Sequence, residues 1–340
     1  MWSDLARRRE LRVLAALAIV GGIFVLAGRK VDLATIRSLS LTWRWIAASI
    51  ALNALSAALK ASVWDSALRA MPTPLRLPFR DLCRSIFIGL CLNTVVPGRV
   101  GEAARVATVK RRHPSAPVPV LVGSVVAEHI LSSLALVATV VVLLLGVDRA
   151  VAGRFESTLL GLLAVVVALA ISLTAMVFLL QRSARLRLPR GRERYAGAVR
   201  LVRDVAQGLR GSIEIFRRGR RRSSSLGVAA ALASSAAQIA SVYAALSAVG
   251  IDPSLGRAGA AFIASSLVGI FPLVPGNIGA FQAVVAASLV TFNVSFGLGF
   301  AFAIALQALE AVVGVGIGGW FLLREGLSLA SYRHPQLEDG

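Results

Sequence analysis

A short group of charged and glycine residues interrupts an apolar stretch of the sequence and could bind an anion there. The stretch runs from Asp81 to Arg112, and the residues Val96–Arg99, V-P-G-R, break it in the middle. Glu102 and Arg105 follow the break at once. A helix that restarts after such a break presents free backbone N–H groups that attract anions, and arginine suits phosphate because its guanidinium donates paired hydrogen bonds. The alternative is that the charged residues of this group lie at the membrane interface and pair only with each other.

A second break with the same chemistry lies near the other end of the chain, at Leu273–Gly279. Both breaks follow the pattern V-P-G-x-Φ-G, in which Φ is Val100 or Ile278. Irregular backbone at membrane depth is tolerated only where it is buried in protein or lines a wet cavity. Two Pro/Gly-interrupted apolar segments in corresponding places point to a transport site built from broken helices. We therefore predict a polar cavity near the bilayer midplane, between the two broken elements.

Several polar residues lie inside apolar runs, where they need partners or water. An ionised side chain at the centre of a membrane helix costs roughly 2.5–3.5 kcal/mol on insertion. Glu128 and Glu310 are therefore predicted to line the cavity, and His129 to be either a cavity residue or a packed, hydrogen-bonded one. Gln282 and Gln307 fit the cavity or, equally well, hydrogen bonds between helices.

The composition places the chain in a membrane. Its 340 residues are 56% hydrophobic and its mean hydropathy is +0.75, which excludes an ordinary soluble domain. The formal net charge of +20 would suggest a nucleic-acid partner in a soluble protein. Here the basic residues flank apolar runs and favour the anionic surface of a lipid bilayer instead. No nucleic acid, metal or cofactor is predicted.

The apolar runs predict an all-α membrane protein, a polytopic helical bundle with about six full spans and two broken or reentrant helical hairpins. The full spans are predicted at about residues 11–28, 45–64, 118–146, 157–180, 226–249 and 297–323. The broken hairpins are predicted at 81–112 and 259–290, each of which is also long enough to form one tilted span. The whole chain, 1–340, is predicted to be a single integral membrane domain.

The longest polar stretch, 182–225, contains an apolar residue every three or four positions at about 193–217. This spacing predicts an amphipathic basic helix that lies on an anionic leaflet or packs on the protein's own helices. The tail at about 328–340 is polar and is predicted to be disordered.

The basic residues also set the predicted orientation. They concentrate in segments that are cytoplasmic if the N-terminus is cytoplasmic, above all in 182–225. By the positive-inside rule, the prediction is a multi-pass protein of the cytoplasmic (plasma) membrane with both termini inside. In this topology the two hairpins enter from opposite sides, so the units at about 45–146 and 226–323 would be inverted repeats.

Two segments resemble the signature segments of a known family. They are 93–105, N-T-V-V-P-G-R-V-G-E-A-A-R, and 271–282, F-P-L-V-P-G-N-I-G-A-F-Q. Both are similar to segments of the lysylphosphatidylglycerol synthase transmembrane family, whose members are also described as flippase-like membrane proteins. The likeness covers nearly the whole chain in order and spacing. It implies functional roles for Asn93, Pro97, Gly101, Glu102 and Arg105 and for Pro275, Gly276 and Gly279.

The chain departs from the family pattern at His129, Gln282 and Gln307. The family often has Glu-Arg where this chain has Glu128-His129, usually has Glu at the position of Gln282, and often has Arg at that of Gln307. Exchanging an acid and a base together would keep the site neutral if those two glutamine side chains pair. Synthase members of the family also carry a soluble aminoacyl-transfer domain. This sequence contains none, so the chain is not expected to make aminoacyl lipids.

The predicted function is flippase- or scramblase-like translocation of an anionic phospholipid or a lipid-linked headgroup. The alternatives are a membrane transferase component that acts on a lipid-linked sugar, a small-solute or ion transporter, and a scaffold for a cell-envelope enzyme partner. No enzyme is predicted, since the sequence lacks G-x-x-x-x-G-K-[ST], D-x-D, H-E-x-x-H and G-x-S-x-G. The predicted substrate-binding residues are Asn93, Pro97, Gly98, Arg99, Gly101, Glu102, Arg105, Glu128, His129, Pro275, Gly276, Asn277, Gly279, Gln282, Gln307 and Glu310.

Overall fold

The computed structural model of the protein describes residues 42–71, 73–96, 100–146, 221–270 and 277–325. Within these ranges every regular element is helical, as predicted. The helices are α1 Trp43–Ala70, α2 Phe79–Val95, α3 Gly101–Arg112, α4 Val118–Gly146, α5 Arg221–Ala248, α6 Leu255–Ile270, α7 Ala280–Val290, α8 Phe296–Ala311 and α9 Gly318–Arg324. A π-helical segment, Val312–Ile317, joins α8 to α9.

Within the described ranges, four helical runs are long and apolar enough to cross a bilayer. They are Trp43–Ala70, Val118–Leu143, Ser225–Ala248 and Phe296–Arg324. At 1.5 Å per residue a run of this length reaches about 40 Å, more than the roughly 30 Å of hydrocarbon in a bilayer. Helices are therefore present where the sequence predicts spans at 45–64, 118–146, 226–249 and 297–323, and the number of spans stays a prediction. The segments predicted at 11–28, 157–180, 193–217 and 328–340 lie outside the described residues.

Helix α1 continues beyond Trp64, where the sequence predicts its end. The extra turn contains Asp65 and Arg69, whose side chains pair at 2.8 Å with the i,i+4 spacing. Opposite charges at this spacing support a helix even where the apolar run stops. The helix ends at Ala70, just before the proline-rich segment 72–78.

The chain forms two compact units. The first comprises Met1–Ala51, Asn93–Arg99 and Ile239–Val312, and the second comprises Leu52–Leu92, Val100–Gln238 and Val313–Gly340. In the first unit α1 meets α5 where Ser241 Oγ donates to the carbonyl oxygen of Ser49 at 2.9 Å.

Helices α1 and α5 meet in the second unit through a reciprocal serine pair. Ser56 Oγ and Ser234 Oγ each donate to the other residue's carbonyl oxygen at 3.0 Å. Hydroxyl groups that bond across helices in this way require a close approach of the two backbones. The small residues around Ser234 allow this close contact.

The helices of the first broken element pack as a hairpin through contacts that lie in the second unit. Asp81, near the start of α2, contacts two residues at the end of α3: its Oδ1 lies 3.2 Å from Arg112 Nη1, and its Oδ2 lies 3.0 Å from His113 Nε2. Further along the hairpin, a Cβ added to Gly89 of α2 would lie 3.0 Å from the carbonyl oxygen of Gly101. Helices α2 and α3 therefore run antiparallel on either side of the break, and the return of this hairpin to one membrane face stays a prediction.

The second broken element is also a helical hairpin, in the first unit. Near the start of α6, Arg257 Nη2 donates to the carbonyl oxygen of Phe292, just after α7, at 3.3 Å. Near the break, Asn277 Nδ2 donates to the carbonyl oxygen of Val268 at 2.9 Å. The described helices end and restart on either side of each predicted break, at Val95 and Gly101 and at Ile270 and Ala280. The inverted relation of the two hairpins stays a prediction.

The glycine-rich end of the last apolar helix packs closely on the first hairpin. A Cβ added to Gly318 of α9 would overlap the carbonyl oxygen of Phe87 in α2 and would lie 2.8 Å from the Cβ of Cys91. Close contact of this kind needs a residue without a side chain. Glu325, which follows α9, then accepts a hydrogen bond from Arg112 Nε at 2.8 Å. Helix α9 is therefore fixed against the first hairpin within the second unit.

Candidate functional site

The first cluster of functional residues begins on α3, the helix that restarts after the first break. Gly101 opens this helix, and the three-residue spacing places Glu102 and Arg105 on one face. Arg105 Nη1 donates to Glu102 Oε2 at 2.8 Å. Although the two residues pair as charged neighbours do on exposed helices, Arg105 is buried. Its positive charge therefore needs further partners inside the protein.

Helix α4 supplies the second partner. Arg105 Nη1 also donates to Glu128 Oε2 at 3.1 Å, and only 7% of the arginine side chain and 5% of the glutamate side chain are exposed. Ser132, one turn further along α4, donates to the other carboxylate oxygen of Glu128 at 3.2 Å. The alternative in which the charged residues after the break pair only with each other is therefore wrong. Glu128 lies about 15 Å along α4 from Val118, half of the roughly 30 Å of hydrocarbon.

An aromatic ring and a glycine hold the guanidinium group in place. Arg105 Cζ lies 4.5 Å from the centroid of the Trp64 ring, within the range of a cation–π interaction. Trp64 Nε1 donates to Ser124 Oγ of α4 at 2.8 Å, which fixes the ring. A Cβ added to Gly89 of α2 would lie 2.7 Å from Arg105 Cγ. The arginine thus occupies space that any larger residue at position 89 would fill.

His129 lies beside the ion pairs, with 39% of its side chain exposed. Its Nδ1 lies 2.9 Å from the carbonyl oxygen of Val125 and 3.3 Å from Glu128 Oε2. Its Nε2 faces Glu102 Oε1 at 3.7 Å. The residue is thus both hydrogen-bonded, as one of the two sequence interpretations predicts, and part of the charged cluster, as the other predicts.

One edge of the Arg105 guanidinium group is not used by this cluster. Among the described residues, the buried Nε and Nη2 atoms have no hydrogen-bond partner. These two nitrogens form the side-on edge of the group, whose parallel N–H bonds match two oxygens of a phosphate or carboxylate. Leaving such donors unpaired inside a protein is costly. The edge is therefore suited to an oxyanion that supplies the missing acceptors.

The cluster contains negative as well as positive charge. The described residues place two carboxylates, those of Glu102 and Glu128, around the single guanidinium of Arg105. Glu102 is the more accessible of the two, with 32% of its side chain exposed. The cluster can therefore offer hydrogen bonds to an anion through Arg105 and a negative charge to a cationic group through Glu102. Arg99, which the sequence analysis adds to this site, lies outside the described residues.

A second, neutral cluster occupies the second break, in the first unit. Gly279, with a φ of 91°, donates its backbone N–H to Gln282 Oε1 at 2.6 Å. Gln282 is buried, and its Nε2 donates to Gln307 Oε1 of α8. The pairing of Gln282 with Gln307 that the sequence analysis proposes is thus present. Asn277, shortly before α7, adopts the left-handed conformation with a φ of 51°, which asparagine tolerates better than most residues.

The remaining predicted residues are placed as follows. Asn93 is partly buried near the end of α2, Gly101 is buried, and Glu310 is partly buried one turn after Gln307 in α8. Pro97, Gly98, Arg99, Pro275 and Gly276 lie outside the described residues.

The sequence analysis missed residues that surround Arg105. Ser132 could have been found, since it follows Glu128 by one helical turn. Arg105 also contacts Trp64 and Gly89, which are far from it in the sequence. No local sequence pattern predicts such contacts.

Four helices among the described residues are long and apolar enough to cross a bilayer, and the fold is that of an integral membrane protein. One of these helices, α4, supplies the buried carboxylate that pairs with Arg105 of α3. The sequence profile of the family described as the lysylphosphatidylglycerol synthase TM region matches residues 13–318. The chain belongs to this family, as its two signature segments indicate. A comparison with curated proteins finds no match.

Proposed function

We propose that this membrane protein translocates an anionic phospholipid, or a lipid-linked compound with an anionic headgroup, between the leaflets of the bilayer. The observation that carries the proposal is the buried, unpaired Nε and Nη2 edge of Arg105 among the described residues. The apolar tails of a lipid stay in hydrocarbon throughout translocation. The charged headgroup has to pass through that hydrocarbon and therefore needs a polar path. Membership of a lipid-related membrane family supports the same substrate class.

The cluster around Arg105 would act on the headgroup in a defined way. The phosphate would accept two parallel hydrogen bonds from Nε and Nη2, while Nη1 keeps its bonds to Glu102 and Glu128. Trp64 would hold the guanidinium plane from one side. Glu102, the more exposed carboxylate, would contact a cationic part of the headgroup where one is present. This arrangement replaces water around the phosphate and so lowers the cost of crossing.

We further propose that translocation involves no chemical step and takes place in the cytoplasmic membrane, with both termini on the cytoplasmic side. A transferase would change the mass of the lipid, whereas a translocator leaves it unchanged. Mass spectrometry of the lipid before and after incubation separates the two functions, and a product of altered mass would favour the transferase.

A leaflet assay in proteoliposomes tests the proposed function. Phosphatidylglycerol with a fluorescent NBD group is included in trace amounts, and dithionite quenches only the outer leaflet. We expect the purified protein to expose inner-leaflet label, and Arg105→Ala to slow this at least about tenfold, since lost charge-assisted hydrogen bonds are worth roughly 1.5–3 kcal/mol.

Arg69→Ala serves as the matched control, because Arg69 is half exposed and pairs with Asp65 on α1. This variant should keep the wild-type rate. Equal rates for wild type and Arg105→Ala would remove the proposed site. No movement of any anionic lipid by the wild-type protein would remove the proposed function.

A further inference from the structure

The ring nitrogens of His129 have different surroundings, and this difference identifies the one that can take up a proton. Nδ1 lies 2.9 Å from the carbonyl oxygen of Val125, a group that can only accept. Nδ1 therefore carries the hydrogen in this contact, and the lone pair of the neutral ring is on Nε2. That lone pair faces Glu102 Oε1 at 3.7 Å. A proton on Nε2 would make the ring positively charged, and the nearby carboxylate of Glu102 would stabilise that charge.

The charged groups around this nitrogen come from three helices. Glu102 and Arg105 lie on α3, and Glu128 lies on α4 beside His129 itself. Lys60 of α1 is exposed but close enough to Glu128 to interact with it electrostatically. Among the described residues, the charged partners in direct contact with the ring are both carboxylates. Arg105 and Lys60 together offset these two negative charges while the imidazole ring is neutral.

Binding of an anionic headgroup would disturb this balance. A phosphodiester held on the Nε and Nη2 edge of Arg105 adds one negative charge to the cluster, which then has an excess of one. Like charges gathered in a poorly hydrated site repel strongly. Histidine is the side chain whose charge changes most readily near neutral pH. A proton on His129 would restore the charge that the cluster has without the lipid.

We propose that His129 Nε2, beside Glu102, is a proton-binding site that is occupied when an anionic headgroup binds Arg105, so that lipid and proton cross the membrane together. This inference rests on the proposed function, since it assigns the ion that accompanies the lipid. The proton adds from water to the Nε2 lone pair, reached through the exposed edges of His129 and Glu102. It returns to water when the headgroup leaves on the other side.

The proposal fixes the stoichiometry and the driving force. One proton and one monoanionic phosphodiester carry no net charge together, so translocation would respond to a pH difference and not to voltage. At equilibrium each unit of pH difference would hold about a tenfold difference in labelled lipid between the leaflets, because one unit is worth about 1.4 kcal/mol. The label would accumulate in the leaflet that faces the more alkaline side.

The test uses the full chain in proteoliposomes that contain NBD-phosphatidylglycerol in the membrane and the pH-sensitive dye pyranine in the lumen. A pH difference of one unit is imposed at zero voltage, and a valinomycin potential is imposed separately at equal pH. With the lumen as the alkaline side, we expect label to accumulate about tenfold in the inner leaflet. Pyranine should report that protons enter the lumen together with the lipid. The voltage alone should produce no accumulation.

Variants of the histidines refine the test. His129→Gln keeps a polar side chain but cannot take up the proton, so the transport that remains should no longer respond to the pH difference. His113→Gln is the matched control, because His113 contacts Asp81 at the far end of the hairpin and not the Arg105 cluster. It should keep the full response.

The possible failures are distinguishable. Lipid that equilibrates between leaflets without any response to pH would overturn the proton site and leave the proposed function intact. So would a His129→Gln variant that keeps the response, or accumulation driven by voltage alone. A wild-type protein that moves no lipid under any of these conditions would overturn both proposals.

Discussion

Arg105 Nη1 lies 3.1 Å from Glu128 Oε2, and this contact joins the helix that restarts after the first Pro-Gly break to a membrane-spanning helix. The two residues are separated by the rest of α3, a loop and ten residues of helix α4, and both are buried. A charge pair in such a place contributes to stability only while both members are present.

Removing one member of the pair should destabilise the protein. Glu128→Ala leaves the buried guanidinium group with Glu102 as its only carboxylate partner among the described residues. Breaking a buried pair costs about 3–5 kcal/mol, which should appear as a clear loss of thermal stability in detergent. Replacing both members, as in Arg105→Met with Glu128→Leu, should restore much of that stability without restoring lipid translocation. A double variant that translocates lipid would show that the pair has no role in transport.

Substitution of Gly89 should act on Arg105 without changing any charge. A Cβ at this position would lie 2.7 Å from Arg105 Cγ and 2.9 Å from its Cδ, so the arginine stem has to move. We expect Gly89→Ala to slow leaflet exchange of labelled phosphatidylglycerol severalfold. Gly316→Ala is the control, because an added Cβ there meets nothing within 4 Å. Equal rates for the two variants would mean that the position of Arg105 does not matter.

Charged substitutions of Gln282 and Gln307 should have coupled effects on thermal stability. In Gln282→Glu, one oxygen can still accept the backbone hydrogen bond of Gly279, but a negative charge is then buried beside Gln307. We expect a loss of thermal stability that Gln307→Arg repairs when the two changes are combined. A double-mutant cycle should give a coupling energy of about 0.5–3 kcal/mol. Additive effects would show that the side chains do not act together.

The reentrant character of the first hairpin can be tested by labelling its two ends. Asp81 contacts Arg112 and His113, so residues at the start of α2 and the end of α3 should reach the same face of the membrane. In a background without Cys83 and Cys91, Arg80→Cys and Arg111→Cys should react with an impermeant maleimide from the same side. Labelling from opposite sides would show that the element crosses the membrane completely.

The sequence predicts the spans and the breaks because both arise from local properties. Hydropathy locates the runs that contain α1, α4 and α5, and proline with glycine locates the gap between Val95 and Gly101. Hydropathy places the end of α1 too early, at Trp64. The i,i+4 pair of Asp65 and Arg69 extends the helix past its apolar run. The π-helical turn at Val312–Ile317 is likewise invisible in an apolar pattern.

The candidate site was predictable in its members but not in its connections. Composition and motif single out Arg105, Glu128 and His129, since ionisable residues in apolar runs are costly. Which carboxylate Arg105 binds depends on how α3 packs on α4. In the structure Nη1 contacts two carboxylates, which adds negative charge to the site. The partnership of Gln282 with Gln307 was foreseeable because their departures from the family pattern compensate each other.

The central claim is that the Nε and Nη2 edge of Arg105 carries the phosphate of the lipid. The most direct test compares leaflet exchange of NBD-phosphatidylglycerol by the wild-type protein and by Arg105→Lys, which keeps the positive charge but has no side-on pair of donors. We predict that Arg105→Lys, at a thermal stability close to that of the wild type, exchanges the lipid at least about tenfold more slowly. A lysine variant that exchanges lipid at the wild-type rate would contradict the claim.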